Sequence, residues 1–226
     1  LIYHLLIKKE IRCYGLNSYE DKDENESRSE NADKSENKSS KKILLLSQDL
    51  TLGGPSLALY HAARILIKRG YQVVYASMLD GPLRKILLDE KIPVIIDENL
   101  MIETMQEAKW VGEYSFLICN TMNFHVFLSE RDTKIPVAWW LHDASFFYGG
   151  VRREVMDRIS ADHMRVWSVG PIPERAVRAF RNDLHVDYLL YGVKDIVNTE
   201  NEAKETDRNV GKVCFTVIGY IEYRKG

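Results

Sequence analysis

Several residues with side chains suited to acid–base or hydrogen-bonding chemistry stand at the ends of short apolar runs. His142 and Asp143 follow the run Val137–Leu141, and Asn120 ends the run Phe116–Asn120. A neutral imidazole can accept or donate a proton near physiological pH, and a neighbouring carboxylate can tune it. We therefore predict that His142 is catalytic and that Asn120 and Asp143 bind substrate. The alternatives are a structural histidine and an asparagine that caps the next helix.

A pair of glycines, Gly53 and Gly54, stands between the first apolar run and an amphipathic stretch. Glycine lets the backbone approach a ligand closely, and Pro55 suits the first turn of a helix. The free N–H groups and the dipole at a helix start attract phosphate. The turn lacks the Gly-Lys-Ser/Thr of a P-loop and the Gly-x-Gly-x-x-Gly of dinucleotide-binding proteins. It predicts a loop that binds substrate, with an ordinary turn as the alternative.

An aromatic group, Phe146, Phe147 and Tyr148, follows the predicted catalytic histidine. Such rings can stack on a sugar or pack in a core, and core packing is favoured here. The remaining histidines have no metal-ligand spacing, and the chain has no Gly-x-Ser-x-Gly nucleophile elbow. We therefore predict neither a metal site nor a serine hydrolase.

The elements that position these residues follow from the pattern after Lys42, where apolar runs alternate with amphipathic stretches. This alternation predicts repeated strand–helix units and a parallel sheet. The predicted strands are Ile43–Ser47, Gln72–Ser77, Val94–Asp97, Phe116–Asn120, Val137–Leu141, Arg165–Val169 and Tyr188–Tyr191. The predicted helices are Ser56–Arg69, Leu83–Glu90, Ile102–Trp110, Val151–Ser160 and Pro173–Arg181. Ligands bind at the carboxyl ends of the strands in such sheets, which is where the polar residues lie.

The composition changes on both sides of this region, which spans 42–197 and is predicted to be one domain. Residues 1–16 predict a short helix, either the tail of an upstream module or a simple extension. Residues 17–41 are charged and rich in Ser and Asn, which predicts a disordered linker. Residues 198–211 resemble an interdomain linker, and 212–226 the first strand of a truncated second domain. The chain is therefore expected to be a piece of a longer protein.

The overall composition excludes several classes of protein. Hydrophobic residues make up 45% and charged residues 28%, which is an ordinary globular balance. The net charge is only -2 and the basic residues form no stripe, so a nucleic-acid partner is not expected. The three cysteines lack metal spacing and fit a reduced, cytoplasmic compartment. No apolar run reaches the roughly 18–20 residues that a membrane span requires.

Five short motifs occur in the order found in one known family. They are Gly53-Gly54-Pro55-Ser56 with a helix ending Arg69-Gly70, Asp80-Gly81-Pro82-Leu83 with Ile92-Pro93-Val94, Leu141-His142-Asp143, Tyr191-Gly192-Val193, and Ile218-Gly219 with Lys225-Gly226. Each motif is short, but the ordered set resembles the retaining GT-B glycosyltransferases of the group 1, or family 4, type. The resemblance covers Lys42 to the end of the chain.

This resemblance implies a doubly wound, mainly parallel Rossmann-like domain that forms the N-terminal half of a GT-B fold. In that family the N-terminal half holds the acceptor, and the C-terminal half holds the nucleotide sugar. The sugar is transferred in the cleft between them with retention at the anomeric carbon, usually without a metal. No cofactor is therefore expected. The missing donor-binding domain would follow residue 226.

The resemblance also assigns roles to individual residues. Gly53 and Gly54 would approach the donor phosphates or the acceptor, and His142 would sit beside the transferred sugar. Lys225 would neutralise the leaving pyrophosphate, with help from Arg224. Two residues depart from the family pattern: Tyr220 stands where a phosphate-binding arginine is common, and Tyr191 replaces an asparagine.

The expected function is therefore transfer of a sugar from a nucleotide-sugar donor to a glycan or lipid-linked acceptor, in the synthesis of cell-surface polysaccharide. The parent enzyme would work in the cytoplasm, with peripheral association at the inner face of the membrane as one setting. This chain alone would be inactive. The alternatives are a non-catalytic interaction module with the same fold and an enzyme resembling a nucleotide-sugar epimerase.

Overall fold

The computed structural model of the chain describes residues 9–16 and 41–190. They belong to the first of two compact units, Leu1–Tyr191, and the second unit, Gly192–Gly226, lies outside the described residues. The described part is an eight-stranded sheet with helices on both faces. This confirms the predicted α/β, mainly parallel, Rossmann-like fold.

The strands follow the chain as β1 Arg12–Tyr14, β2 Lys42–Ser47, β3 Gln72–Ser77, β4 Val94–Ile96, β5 Phe116–Asn120, β6 Val137–Leu141, β7 Met164–Ser168 and β8 Val186–Tyr188. Their order in the sheet is β1-β4-β3-β2-β5-β6-β7-β8. The pairing of β1 with β4 is antiparallel, and the other pairings are parallel. The predictions for β2 to β7 agree with the structure to within one residue.

The central strands are apolar along their whole length because both faces of the sheet are covered. In β2, Leu44 and Leu46 belong to one buried cluster, and Ile43 and Leu45 belong to the cluster on the opposite face. The adjacent tryptophans of β6 are divided in the same way, since side chains alternate along a strand. This patterning explains why the sequence predicts the strands so closely.

The helices are α1 Gly54–Lys68, α2 Leu83–Asp89, α3 His125–Ser129, α4 Arg153–Asp157 and α5 Pro171–Arg178. Buried side chains of α1 and α2 pack on one face of the sheet, and those of α3, α4 and α5 pack on the other. Two layers of helices around one sheet make the fold doubly wound, as expected. Within residues 9–16 and 41–190, no helix is both long and apolar enough to cross a membrane.

The structure differs from the prediction in three elements: the first segment, the helix predicted over Ile102–Trp110 and the last strand. Arg12–Tyr14, in the segment assigned to a short helix, form a strand that extends the sheet beyond β4. The helix predicted over Ile102–Trp110 is wrong, because the N–H groups of Met105 and Gln106 donate to the carbonyls of Phe127 and Glu130. A short 3-10 helix, Lys109–Glu113, follows instead.

The last strand is displaced from its predicted position. β8 covers Val186–Tyr188, because Val186 pairs with Val166 and is buried, whereas Leu190 is exposed. The predicted linkers at 17–41 and 198–211 and the strand at 212–226 fall wholly or almost wholly outside the described residues. Those assignments stay predictions.

Candidate functional site

Three neighbouring strands end side by side and deliver the predicted site residues to one edge of the sheet. The order β2-β5-β6 places the carboxyl ends at Ser47, Asn120 and Leu141 next to one another. The chain runs from β2 to β3 on one side and later returns to β5 on the other. The gap between β2 and β5 is therefore the topological switch point, where open α/β sheets bind their ligands.

The loop between β2 and α1 is organised by Asp49. Its Oδ1 accepts hydrogen bonds from Thr51 N at 2.9 Å, from Thr51 Oγ1 at 2.6 Å and from Ser56 Oγ at 3.0 Å. Thr51 Oγ1 in turn accepts from Gly53 N at 3.3 Å. This network holds the two glycines at the start of α1, and no side chain of the described residues caps that helix. Pro55 has no N–H group, so Gly54 and Ser56 carry the N–H groups that can face an anionic ligand in the first turn of α1.

Close packing accounts for a glycine at position 53 but not at position 54. A Cβ on Gly53 would lie 3.1 Å from Thr51 Oγ1, a tight contact. A Cβ on Gly54 would have no heavy atom of the described residues within 4 Å. Neither glycine has a positive φ, so the backbone does not require one there. The open space at Gly54 is what a loop that approaches a ligand needs.

Gly81, in the loop after β3, is a glycine for a structural reason. A Cβ there would lie 2.5 Å from the carbonyl oxygen of Leu50, closer than real side chains come. The close approach lets Leu83 N donate to the same oxygen at 2.8 Å. The Asp80-Gly81-Pro82-Leu83 motif therefore fixes the loop after β3 against the loop after β2.

Asn120 and Thr121, at the end of β5, have different structural roles. Asn120 is fully buried, and its Nδ2 donates to Pro55 O at 2.9 Å, which ties β5 to the first turn of α1. Its Oδ1 has no hydrogen-bond partner among the described residues. Thr121 caps the 3-10 helix that follows, since its Oγ1 accepts from Asn123 N at 3.3 Å. Thr121 has φ 83°, a strained conformation for a β-branched residue.

His142 lies half-buried at the end of β6, with its ring centroid 4.7 Å from that of Trp140. Burial lowers the pKa of His142 to about 4. The imidazole is therefore neutral at physiological pH, so one ring nitrogen is able to donate a hydrogen bond and the other to accept one. Both ring nitrogens are themselves buried in this structure.

Asp143 holds two loops together. Its Oδ2 accepts from Met122 N at 2.6 Å, which joins the segment after β6 to the segment after β5. Burial raises the pKa of Asp143, and hydrogen bonds from backbone N–H groups oppose that shift. The carboxylate predicted to bind substrate is thus buried and hydrogen-bonded to Met122.

The aromatic group after His142 is divided between core and surface. Tyr148 is buried and stacks on Phe180 with ring centroids 6.1 Å apart. Phe146 is 74% exposed and lies edge-on to Phe147, which is 41% exposed. The favoured prediction of core packing is confirmed for Tyr148 and is wrong for the two phenylalanines. They are exposed because the 3-10 helix Ser145–Tyr148 turns only its last residue inward.

Sequence reasoning missed three residues that shape this edge. Asp49 organises the glycine loop, and a hydrogen bond from Asn123 Nδ2 to Gln48 Oε1 joins the loops after β2 and β5. The signal for Asp49 was the Asp-x-Thr spacing, which favours a local side-chain turn. Arg224 and Lys225 lie outside the described residues, so their predicted roles stay predictions. Residues 9–16 and 41–190 contain no cluster of three or more His, Cys, Asp or Glu able to hold a metal.

An open, mainly parallel sheet with a glycine turn at its switch point defines a Rossmann-like domain. Residues 39–168 match the family model described as glycosyl-transferase family 4. That match covers more than half of the chain, so the chain belongs to this family. No curated protein matches its sequence.

Two solved structures resemble the chain. HepE from Anabaena, solved in complex with UDP-glucose, has 19% identity and a TM-score of 0.54. The match covers 67% of this chain and 44% of HepE. An alpha-glucosyltransferase solved with UDP and a 13-mer DNA containing an HMU base has 16% identity and a TM-score of 0.47, over 66% of this chain and 42% of its own. The chain thus spans less than half the length of either protein.

Proposed function

We propose that this domain is the acceptor-side half of a retaining glycosyltransferase that takes its sugar from a nucleotide-sugar donor. The observation that carries the proposal is the uncapped start of α1 at the switch point, where Gly54 leaves open space. The family match supports the reaction class. HepE, which shares the fold, was solved with UDP-glucose, and this makes a UDP-sugar the first donor to test.

In this proposal each group of residues at this edge of the sheet has one role. The N–H groups at the start of α1 face the donor phosphates or a charged acceptor group. His142 lies beside the transferred sugar, where its neutral ring donates or accepts a hydrogen bond. Asn120 and Asp143 act as positioning residues, because their hydrogen bonds to Pro55 O and Met122 N fix the loops that carry the ligand-facing groups.

The acceptor is a glycan or a lipid-linked acceptor, and the setting is the synthesis of cell-surface polysaccharide in the cytoplasm or at the inner face of the membrane. The exposed pair Phe146 and Phe147 supports a sugar-containing acceptor, because aromatic faces pack well against sugar rings. The pair follows His142 closely in the chain, and this supports a position near the proposed site.

The test uses the full-length parent enzyme with a panel of nucleotide sugars, beginning with UDP-glucose, and a set of glycan and lipid-linked acceptors. We expect release of the nucleoside diphosphate that depends on acceptor, and NMR of the product should show the anomeric configuration of the donor. Inversion at that carbon would reject the retaining mechanism. Absence of release across the whole panel, from a folded enzyme, would favour the non-catalytic interaction module.

A further inference from the structure

A cavity of about 380 Å³ lies at the opposite edge of the sheet from the proposed transfer site. Lys42 and Gln72, the first residues of β2 and β3, mark that amino edge. The apolar wall is formed by Ile11, Cys13, Val74, Ile95, Trp110 and Tyr114. Its size falls within the range of roughly 300–1,000 Å³ that is typical of small-molecule sites. None of its features takes part in the proposed sugar transfer.

One wall of the cavity is formed by β1, which lies outside the family match at 39–168. Side chains alternate along this strand, so Cys13 lines the cavity while Tyr14 packs in the cluster on the other face, under the guanidinium of Arg84. The strand is anchored by Asn99, whose Oδ1 accepts from Lys9 N at 2.8 Å and whose Nδ2 donates to Lys9 O at 2.9 Å.

The aromatic wall is fixed through the same anchor. Asp97 is buried, and its Oδ2 accepts from Trp110 Nε1 at 3.0 Å while its Oδ1 accepts from Asn99 Nδ2 at 2.7 Å. Trp110 also meets Tyr114 edge to face, with ring centroids 6.2 Å apart. The hydrogen bonds and this ring contact set the distance between β1 and the rings, so the cavity is a built feature of the fold.

A buried polar atom lies beside the cavity. Gln72 lines the cavity, and its Oε1 is buried with no hydrogen-bond partner among the described residues. An acceptor in that state destabilises the fold, and a ligand with a donor would offset this cost once the side-chain amide turns its Oε1 toward the cavity. The exposed rim residues Lys42 and Glu113 have opposite charges, so the mouth selects no net charge. Cys13 is exposed overall, and partial desolvation together with the charge of Asp97 raises the pKa of its thiol.

We propose that this cavity binds a small, neutral, amphipathic molecule with a flat apolar body and one hydrogen-bond donor. The apolar body lies between the aromatic wall and the sheet, and the donor bonds to Gln72 Oε1. Because the cavity and the transfer site lie at opposite edges of the sheet, the occupant is a second ligand and not the sugar donor or acceptor.

The probe for the test is N-phenyl-1-naphthylamine, which is neutral, has flat aromatic rings and a single N–H, and fluoresces in apolar surroundings. We expect one probe per chain. Gln72→Leu should weaken its binding roughly three- to tenfold, the loss of one neutral hydrogen bond. The matched compound 1-phenylnaphthalene, which lacks the N–H, should bind both proteins equally.

Cys13→Trp fills the cavity from an edge strand, and it should abolish probe binding without lowering the melting temperature. Arg12→Trp puts the same ring on the opposite face of β1 and should leave binding intact. Equal probe binding by the Cys13→Trp and wild-type proteins would overturn the proposal. So would a probe that binds only after residues 17–40 are replaced by a Gly/Ser linker of equal length, because the occupant would then be this chain. Neither result depends on sugar transfer.

Discussion

At the scale of single residues, His142 combines a position at a strand end with a neutral ring, and the proposed function requires both. We predict that His142→Ala lowers kcat of the full-length enzyme by roughly 10²–10⁴-fold, as expected for a lost proton-transfer or charge-stabilising group. The melting temperature at pH 7 should change little, since the histidine is only half-buried. Activity and thermal unfolding should be measured on one sample. A variant that loses stability but keeps its turnover would make His142 a structural residue.

The depressed pKa of His142 also predicts how stability depends on pH. The folded pKa is about 4 and the unfolded pKa about 6.5, so the unfolded state binds more protons between these values. The free energy of unfolding should therefore fall as pH drops through this window. For His142→Gln, which cannot titrate, the fall from pH 7 to 4.5 should be smaller by roughly 2–3 kcal/mol. Urea denaturation at several pH values measures this difference, and identical profiles for the two proteins would contradict the depressed pKa of His142.

The sequence predicted which residues would meet at this edge, but not what each of them does. The positions of Asn120 and His142 followed from the apolar runs before them. The tie from Asn120 to Pro55 O and the bond from Met122 N to Asp143 did not, because both join segments far apart in the sequence. The exposure of Phe146 and Phe147 depends on the orientation of the 3-10 helix that contains them. Three consecutive aromatic residues in the sequence do not indicate that orientation.

At the scale of elements, the loops after β2 and β3 each contain a glycine, Gly54 and Gly81, and the two glycines have different roles. We predict that Gly54→Ala leaves the melting temperature unchanged or slightly higher, because the new Cβ meets open space at the start of a helix. It should nevertheless raise KM for the donor or acceptor if a ligand approaches this backbone. Thermal unfolding and steady-state kinetics on the full-length enzyme test both parts. An unchanged KM for both substrates would show that this turn does not bind a ligand.

Gly81→Ala is the matched control and should behave in the opposite way. Its Cβ would collide with the backbone carbonyl of Leu50, so we expect a loss of about 1–3 kcal/mol in the free energy of unfolding. The two variants are therefore distinguished by stability: Gly81→Ala lowers the free energy of unfolding, and Gly54→Ala does not. A variant as stable as wild type would show that the loops after β2 and β3 do not pack as the structure places them.

Element prediction succeeded where burial on two faces dictated the pattern and failed where tertiary contacts replaced local ones. The stretch Ile102–Trp110 has helical periodicity, but Thr104 N donates to Glu107 Oε2 and Trp110 is held by Asp97. The backbone N–H groups of Met105 and Gln106 are also taken up, by the carbonyls of Phe127 in α3 and of Glu130 directly after it. β1 was missed because a three-residue edge strand has too short a pattern to recognise.

At the scale of the whole molecule, the proposed function makes the described domain one wall of the transfer site. Its loops after β2, β5 and β6 face outward from one sheet edge, and the chain spans 44% of the length of HepE. Catalysis of group transfer requires both reactants to be held in reacting geometry and shielded from water, which in the proposed arrangement needs a second, donor-binding half. One half can present an acceptor, but it cannot orient the donor against it.

We therefore predict that the 226-residue chain folds but transfers no sugar on its own. The chain and the full-length parent should be incubated at equal concentration with radiolabelled UDP-glucose, or with the donor that the parent prefers, and with the same acceptor. A cooperative thermal transition of the chain shows that it is folded, and turnover by the parent shows that the assay works. We expect transfer by the parent alone, because the proposed reaction needs a donor-binding half that closes around the substrates together with this domain. Turnover by the chain at a rate near that of the parent would place the donor site within these residues and would reassign the cleft to the single domain.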